Sequence, residues 1–169
     1  MKLENLLLEQ NGYIKIIDYR LSKMLASDQV TTSQCGTPEY LAPEILRRRG
    51  YNRNVDWWAT GILIYEMIFG GTPFFQKNKQ VLYFRINTGE LTFPNRAIAG
   101  AIQYSDTLVD LVTQLLNRNP AERLGAKQDA QEILAHPWFS DIDLERLKTL
   151  ELNPPIYHRF DDYTDENAI

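Results

Sequence analysis

Two short apolar runs, Leu6 to Leu8 and Tyr13 to Ile17, flank the polar stretch Glu9-Gln10-Asn11-Gly12. Asn-Gly supplies the positive φ angles of a tight turn, so this pattern predicts a β-hairpin. From Tyr19 to Gly36 the periodicity stops, and Ser, Thr, Asp and Gln prevail. A connection of that length inside a compact domain predicts a functional loop. Pro38 and Pro43 then punctuate the entry to a short helix over Glu44 to Arg48.

The stretch from Val55 to about Gly70, opened near Asn54, is apolar on every face except at Asp56 and Glu66. Such a helix is buried nearly all round and forms the axis of a core. Val81, Leu82, Tyr83, Phe84 and Ile86 predict a further helix that ends before Gly89. Leu108, Val109, Leu111, Val112, Leu115 and Leu116 recur at helical spacing after the capping pair Ser105-Asp106. Gln131 to Ala135 is a short helix stopped by Pro137. After Trp138-Phe139 the pattern predicts an extended, mostly irregular tail with an acidic end from Phe160 to Ile169. The fold class that follows is mainly α with a small β-hairpin.

Composition narrows the function classes. The chain has 169 residues, 44% hydrophobic and 24% charged, an ordinary globular balance. Eighteen Lys and Arg against 22 Asp and Glu give a net charge of -4, which argues against nucleic acid or an anionic membrane as main partner. The longest apolar run, Trp57 to Tyr65, is too short to span a bilayer. With one cysteine, Cys35, and no apolar leader after Met1, the expected location is the cytoplasm or the nucleus. Arg47, Arg48, Arg49 and Arg53 read as a solvated basic loop, and His136 and His158 lack metal-ligand spacing.

Four strings occur in a fixed order: Cys35-Gly36-Thr37-Pro38-Glu39-Tyr40-Leu41-Ala42-Pro43-Glu44, Asp56-Trp57-Trp58-Ala59-Thr60-Gly61, Tyr65-Glu66-Met67 and Arg123-Leu124-Gly125. This order resembles the C-terminal lobe of a eukaryotic protein kinase. The Trp57-Trp58 pair, Thr72-Pro73-Phe74-Phe75, His136-Pro137-Trp138-Phe139 and Phe160-Asp161-Asp162-Tyr163 are similar to the AGC group, closest to the cyclic-AMP-dependent protein kinase catalytic subunit. The resemblance implies a truncated kinase C-lobe over 1–139, with hairpin 5–18 and activation segment 18–44, then an AGC-type tail over 140–169. Of the family's catalytic loop H-R-D-L-K-P-E-N, only Lys2, Glu4 and Asn5 recur, with Leu3 at the proline position. The Gly-rich loop, the ATP-binding lysine and the catalytic aspartate precede this point in the family, so weak or no binding of ATP and Mg²⁺ is expected for these residues alone.

The resemblance also assigns roles. Asn5 and Asp18 match the Mg²⁺ ligands, but Asp18-Tyr19-Arg20 stands where the family has D-F-G, so Arg20 is expected to bias or freeze that segment. Lys2 matches the lysine on the transferring phosphate, with Thr37 beside it. Ser33 matches the activation-loop phosphosite, with Thr31 and Thr32 as neighbouring candidates and Lys23 as a basic partner. Glu4, Glu39 and Glu66 match positions that read basic residues in a Ser/Thr substrate, and Pro38 and Leu41 wall the adjoining pocket. Phe160 and Tyr163 match tail residues that reach the nucleotide and substrate. Tyr83 matches a docking position for a regulatory subunit, while Thr32 stands where the docking tryptophan is expected. Glu44 and Arg123 match a buried ion pair. Asp56 matches an acceptor of catalytic-loop amides and is expected to be partly orphaned. One face of Val55 to Gly70 and the underside of the hairpin are expected to be open. Two functions fit: part of a serine/threonine kinase acting on basic peptides, or a noncatalytic, pseudokinase-like module that binds kinase substrates or regulators.

Overall fold

The computed structural model describes residues 1–9, 11–25 and 29–153. The hairpin forms as the pattern predicts. Strands β1 (Leu6–Leu8) and β2 (Ile14–Ile16) pair antiparallel, with Leu6 opposite Ile16 and Leu8 opposite Ile14. Gly12 adopts φ 80°, and the Asn11 side-chain oxygen accepts the Tyr13 N–H at 3.0 Å, so this turn uses the features that make Asn-Gly favourable.

Six α-helices follow among the described residues: α1 (Pro43–Leu46), α2 (Asn54–Phe69), α3 (Lys79–Thr88), α4 (Asp106–Leu115), α5 (Ala130–Leu134) and α6 (Leu144–Lys148). Single 3₁₀ turns span Leu3–Asn5, Pro38–Tyr40 and Pro137–Phe139. The longer helices start where side-chain acceptors are available. The Asn78 side chain caps α3, and the Ser105 hydroxyl accepts the Leu108 N–H at 3.1 Å to cap α4. Helix α2 ends at Gly70, whose φ of 76° is the left-handed conformation that closes a helix cheaply only at glycine. Helix α6 corrects the expectation of an irregular tail after Phe139. Asp143 accepts the Arg146 N–H at 3.1 Å, and Lys148 pairs with Glu145 at 2.7 Å, so a local cap and a one-turn ion pair suffice for a short helix.

The core lies between α2 and α4. Trp58, Ile62, Leu111, Val112 and Leu115 are fully or almost fully enclosed, and Phe74 stacks on Trp58 with ring centroids 5.9 Å apart. Close approach is possible because Gly61 faces α4: a Cβ there would lie 2.9 Å from both Leu115 Cβ and Leu116 Cδ2. Helix α2 is buried along most of its circumference. Asp56 and Met67 are exposed and Thr60 half-buried, a narrow open stripe. The hairpin is more open still, with Leu7 53% and Ile14 58% exposed. No described helix is long and apolar enough to cross a membrane.

A buried ion pair sits inside this apolar frame. Arg123 on the connection after α4 is fully buried, and its guanidinium forms a two-pronged bond to Glu44 of α1, 2.7 Å to Oε1 and 3.0 Å to Oε2. The same group donates to the Asn54 carbonyl at 2.8 Å and the Asn117 carbonyl at 3.0 Å, and its Cζ lies 5.3 Å from the Trp58 ring centre. Glu44→Ala leaves a buried guanidinium without its counter-charge and is expected to cost about 3–5 kcal/mol in denaturant unfolding. A loss below about 1 kcal/mol, the range of solvated pairs, would contradict the burial of the pair. Gly61→Ala gains up to about 1 kcal/mol of helix propensity but overpacks a helix contact, which costs about 1–3 kcal/mol. A net loss of about 1–2 kcal/mol is expected, and a variant at least as stable as the parent would show that α4 can yield.

Candidate functional site

The hairpin carries two of the sequence-identified residues to one end. The Ile17 N–H donates to the Asn5 carbonyl at 2.8 Å, extending the ladder by one step, so Asn5 and Asp18 leave the sheet together. Both line an open cavity of about 620 Å³ that also receives Lys2, Thr37, Leu41 and Asp56. Thr37 precedes the Pro38–Tyr40 turn, and its carbonyl accepts the Tyr40 N–H at 3.1 Å. Pro38 begins that turn and Leu41 closes it, with the Leu41 N–H donating to the Pro38 carbonyl at 3.3 Å. Gly36, at φ 123°, lets the chain pass the Leu41 side chain, since a Cβ there would lie 3.1 Å from Leu41 Cδ2.

The two carboxylates of the cavity differ in kind. Asp18 adopts φ 65°, and this backbone turn brings Arg20 back onto it: Nε donates to Oδ1 at 2.8 Å and Nη2 to Oδ2 at 3.1 Å. The Arg20 hydrogen bonds hold the Asp18 carboxyl below the usual carboxylate range, and the charge of Lys2 adds a smaller pull in the same direction. The Asp56 carboxylate has no hydrogen-bond or ion-pair partner among the described residues. It is exposed by area but crowded by protein atoms, and this desolvation raises its pKa against the opposing pull of the N-terminal ammonium, with Asp129 adding a smaller repulsion.

A Mg²⁺ ion keeps most of its water and relies on free carboxylate oxygens. At the hairpin end both Asp18 oxygens already accept guanidinium N–H groups, and no cluster of three metal-type ligands occurs among the described residues. The Asn5 and Asp18 pair, as folded here, does not fit a divalent cation.

Two of the three glutamates, Glu4 and Glu66, lie near Tyr40, whose phenol is buried. Its oxygen accepts the Leu3 N–H at 3.4 Å and its hydroxyl donates to Glu66, so it joins the 3₁₀ turn bearing Glu4 to helix α2. Burial and the Glu66 hydrogen bond push the phenol pKa well above its ordinary value, with the Glu4 charge adding to the effect. Glu39, next in sequence to Tyr40, instead accepts the Thr72 hydroxyl at 2.6 Å. Sequence reasoning missed Tyr40, because its partners lie 37 and 26 residues away and leave no local signal.

The activation-segment residues are also ordered by contacts. Thr31 and Tyr51 form an isolated antiparallel bridge, and the Tyr51 hydroxyl donates to the Ser33 carbonyl at 2.6 Å. Lys23 Nζ reaches the Ser33 hydroxyl at 2.6 Å and the Thr31 hydroxyl at 3.2 Å, while Thr32 is exposed. Tyr83 is half-buried on α3 with the Lys79 ammonium 5.6 Å from its ring centre. The basic cluster is not wholly free: Arg47 donates to the Asn87 side chain at 2.7 Å, and Arg53 lies 3.4 Å from Asp129. Phe160 and Tyr163 lie outside the described residues. The near part of the tail touches the hairpin, where the Tyr13 hydroxyl donates to the Leu152 carbonyl at 2.9 Å.

Comparison with known proteins agrees with this arrangement. The family described as "Protein kinase domain" matches residues 1–139. The chain is 46% identical over 156 residues to the serine/threonine-protein kinase SCH9 of Saccharomyces cerevisiae, covering 92% of this chain and 18% of that protein. It is 45% identical to the serine/threonine-protein kinase akt-2 of Caenorhabditis elegans, covering 92% of this chain and 28% of the relative. To the cAMP-dependent protein kinase type 3 of S. cerevisiae it is 38% identical, covering 98% of this chain and 42% of the relative. The chain thus spans less than half the length of these curated relatives. The match over 1–139 and the identities to these serine/threonine kinases, with the order of motifs and the buried Glu44–Arg123 pair in agreement, place the chain in the protein kinase family, within its AGC serine/threonine group.

Proposed function

We propose that this chain is the C-terminal-lobe portion of an ATP-dependent serine/threonine kinase acting on basic peptide motifs, and that these 169 residues alone do not transfer phosphate. The observation that carries the reading is the placement of Glu4 and Glu66 beside the Tyr40 phenol, with Glu39 in the same turn held by the Thr72 hydroxyl, a set of carboxylates suited to arginine side chains. Pro38 and Leu41 beside it supply an apolar wall for the residue after the acceptor hydroxyl. The string H-R-D, which carries the catalytic aspartate in the family, does not occur in the sequence, and phosphoryl transfer depends on positioning that aspartate, the metal and the nucleotide together. Lys2 and Thr37, on the cavity wall, are the residues we assign to the phosphate side. A regulatory subunit is proposed to dock at Tyr83, and the setting is a reducing compartment, the cytoplasm or nucleus.

A second reading, a noncatalytic module that binds kinase substrates or regulators, draws support from the Arg20 guanidinium on Asp18. Peptide binding is common to both readings, and phosphotransfer separates them. Joining the Arg20→Gly chain, in which both Asp18 oxygens are free, to an intact kinase N-terminal lobe and catalytic loop restores activity under the first reading and not under the second.

In fluorescence anisotropy, a peptide with two arginines before its serine is expected to bind about tenfold or more tightly than its glutamine analogue, since hydrogen bonds to charged groups contribute about 1.5–3 kcal/mol. Glu66→Gln, which still accepts the Tyr40 hydroxyl, is expected to shrink that ratio, and equal binding of the two peptides would refute the acidic-face reading. Phosphorylation of Ser33 would set a dianion on the Lys23 ammonium. The expected gain is about 2–4 °C in Tm, abolished by Lys23→Ala. No gain, or a gain that survives Lys23→Ala, would count against Ser33 as the ordering site.

A further inference from the structure

We propose that Arg20 is a resident cation of this site, its guanidinium occupying the Asp18 carboxylate in place of a divalent metal ion. The geometry is a matched fork. Nε and Nη2 of one planar group meet the two oxygens of one carboxylate at 2.8 and 3.1 Å, the pairing for which guanidinium is better suited than an ammonium. The Arg20 backbone N–H also points at Oδ1, at 3.4 Å, so the turn as a whole wraps the aspartate. The backbone supports the contact from the other side, because φ 65° at Asp18 turns the chain so that a residue two positions on can reach back.

The surroundings reinforce the exclusion. Lys2, Lys23 and Arg53 also line the cavity around Asp18, and the Lys2 charge acts on the Asp18 carboxylate, so a divalent ion entering here would meet positive charge beyond Arg20. Asp56 is the remaining cavity carboxylate, and it stands alone, without a second free acid to share an ion. An exposed Asp–Arg pair is by itself weak, and Arg20 is 87% exposed. Its effect on a metal comes from both ends: it takes the two ligand oxygens, and it puts a positive charge within a few ångströms of the position the ion would need. The inference concerns Asp18 and Arg20 alone and holds whether or not the acidic face binds peptides.

The test is a Mn²⁺ titration of the full 169-residue chain, followed by the electron paramagnetic resonance signal of free Mn²⁺, which shares with Mg²⁺ a preference for oxygen ligands. The parent chain, Asp18→Asn, Arg20→Gly and the double variant are compared, with circular dichroism to verify the fold of each. Arg20 is exposed, so its removal leaves the core intact. The parent and Asp18→Asn are expected to bind Mn²⁺ equally weakly. Arg20→Gly is expected to bind about tenfold or more tightly, the size of removing one like charge near the ion, and Asp18→Asn in that background to abolish the gain. Binding by the parent that Asp18→Asn weakens, or no gain in Arg20→Gly, would overturn the proposal.

Discussion

A guanidinium in an apolar interior must find acceptors for its N–H groups, and Arg123 finds them on three separate parts of the chain: the Glu44 carboxylate, the first residue of α2 and the loop after α4. That requirement fixes where α1 sits, and α1 fixes the activation segment. The Gln34 side chain donates to the Ile45 carbonyl at 2.9 Å, and the bridge between Thr31 and Tyr51 anchors the segment from the side. Whether such a pair adds net stability over apolar packing is a separate matter. Its clear effect here is geometric, because any displacement of α1 strands a buried charge.

Two charged regions are arranged on this frame, and they have opposite character. Around Tyr40 the half-buried Glu66 and Glu39 carboxylates are held by the Tyr40 and Thr72 hydroxyl groups. At the hairpin end the aspartate is neutralised by a neighbour in its own turn, and lysines complete the wall. The first region is the one proposed to recognise a basic peptide. The second has lost the free oxygens that a hard cation needs. Residues that a common family pattern would treat as one machine are therefore in different chemical states.

The elements with strong local signals were legible in the sequence. The Asn-Gly turn, the all-apolar α2 and the Ser105 cap of α4 each rest on interactions within a few residues, and each forms at the expected place. Helix α6 was not read, because its five residues carry too few apolar positions for a periodicity; its signal was the cap at Asp143. The Glu44–Arg123 contact spans 79 positions and was legible only through family motifs. Arg20 stood out as a departure from the family pattern, but its contact with Asp18 depends on a left-handed backbone that aspartate tolerates better than most residues and that no local pattern demands. Tyr40 was invisible for the reason common to long-range hydrogen bonds: either partner alone looks ordinary.

The proposed acidic face and the proposed closed metal position together make a direct thermodynamic statement. Calorimetric titration of a basic serine peptide into the chain, with and without Mg²⁺ and a nonhydrolysable ATP analogue, measures whether the two regions are coupled. Equal peptide affinity under both conditions is the predicted result. A clear tightening by Mg²⁺ and nucleotide that is lost in Asp18→Asn would contradict it.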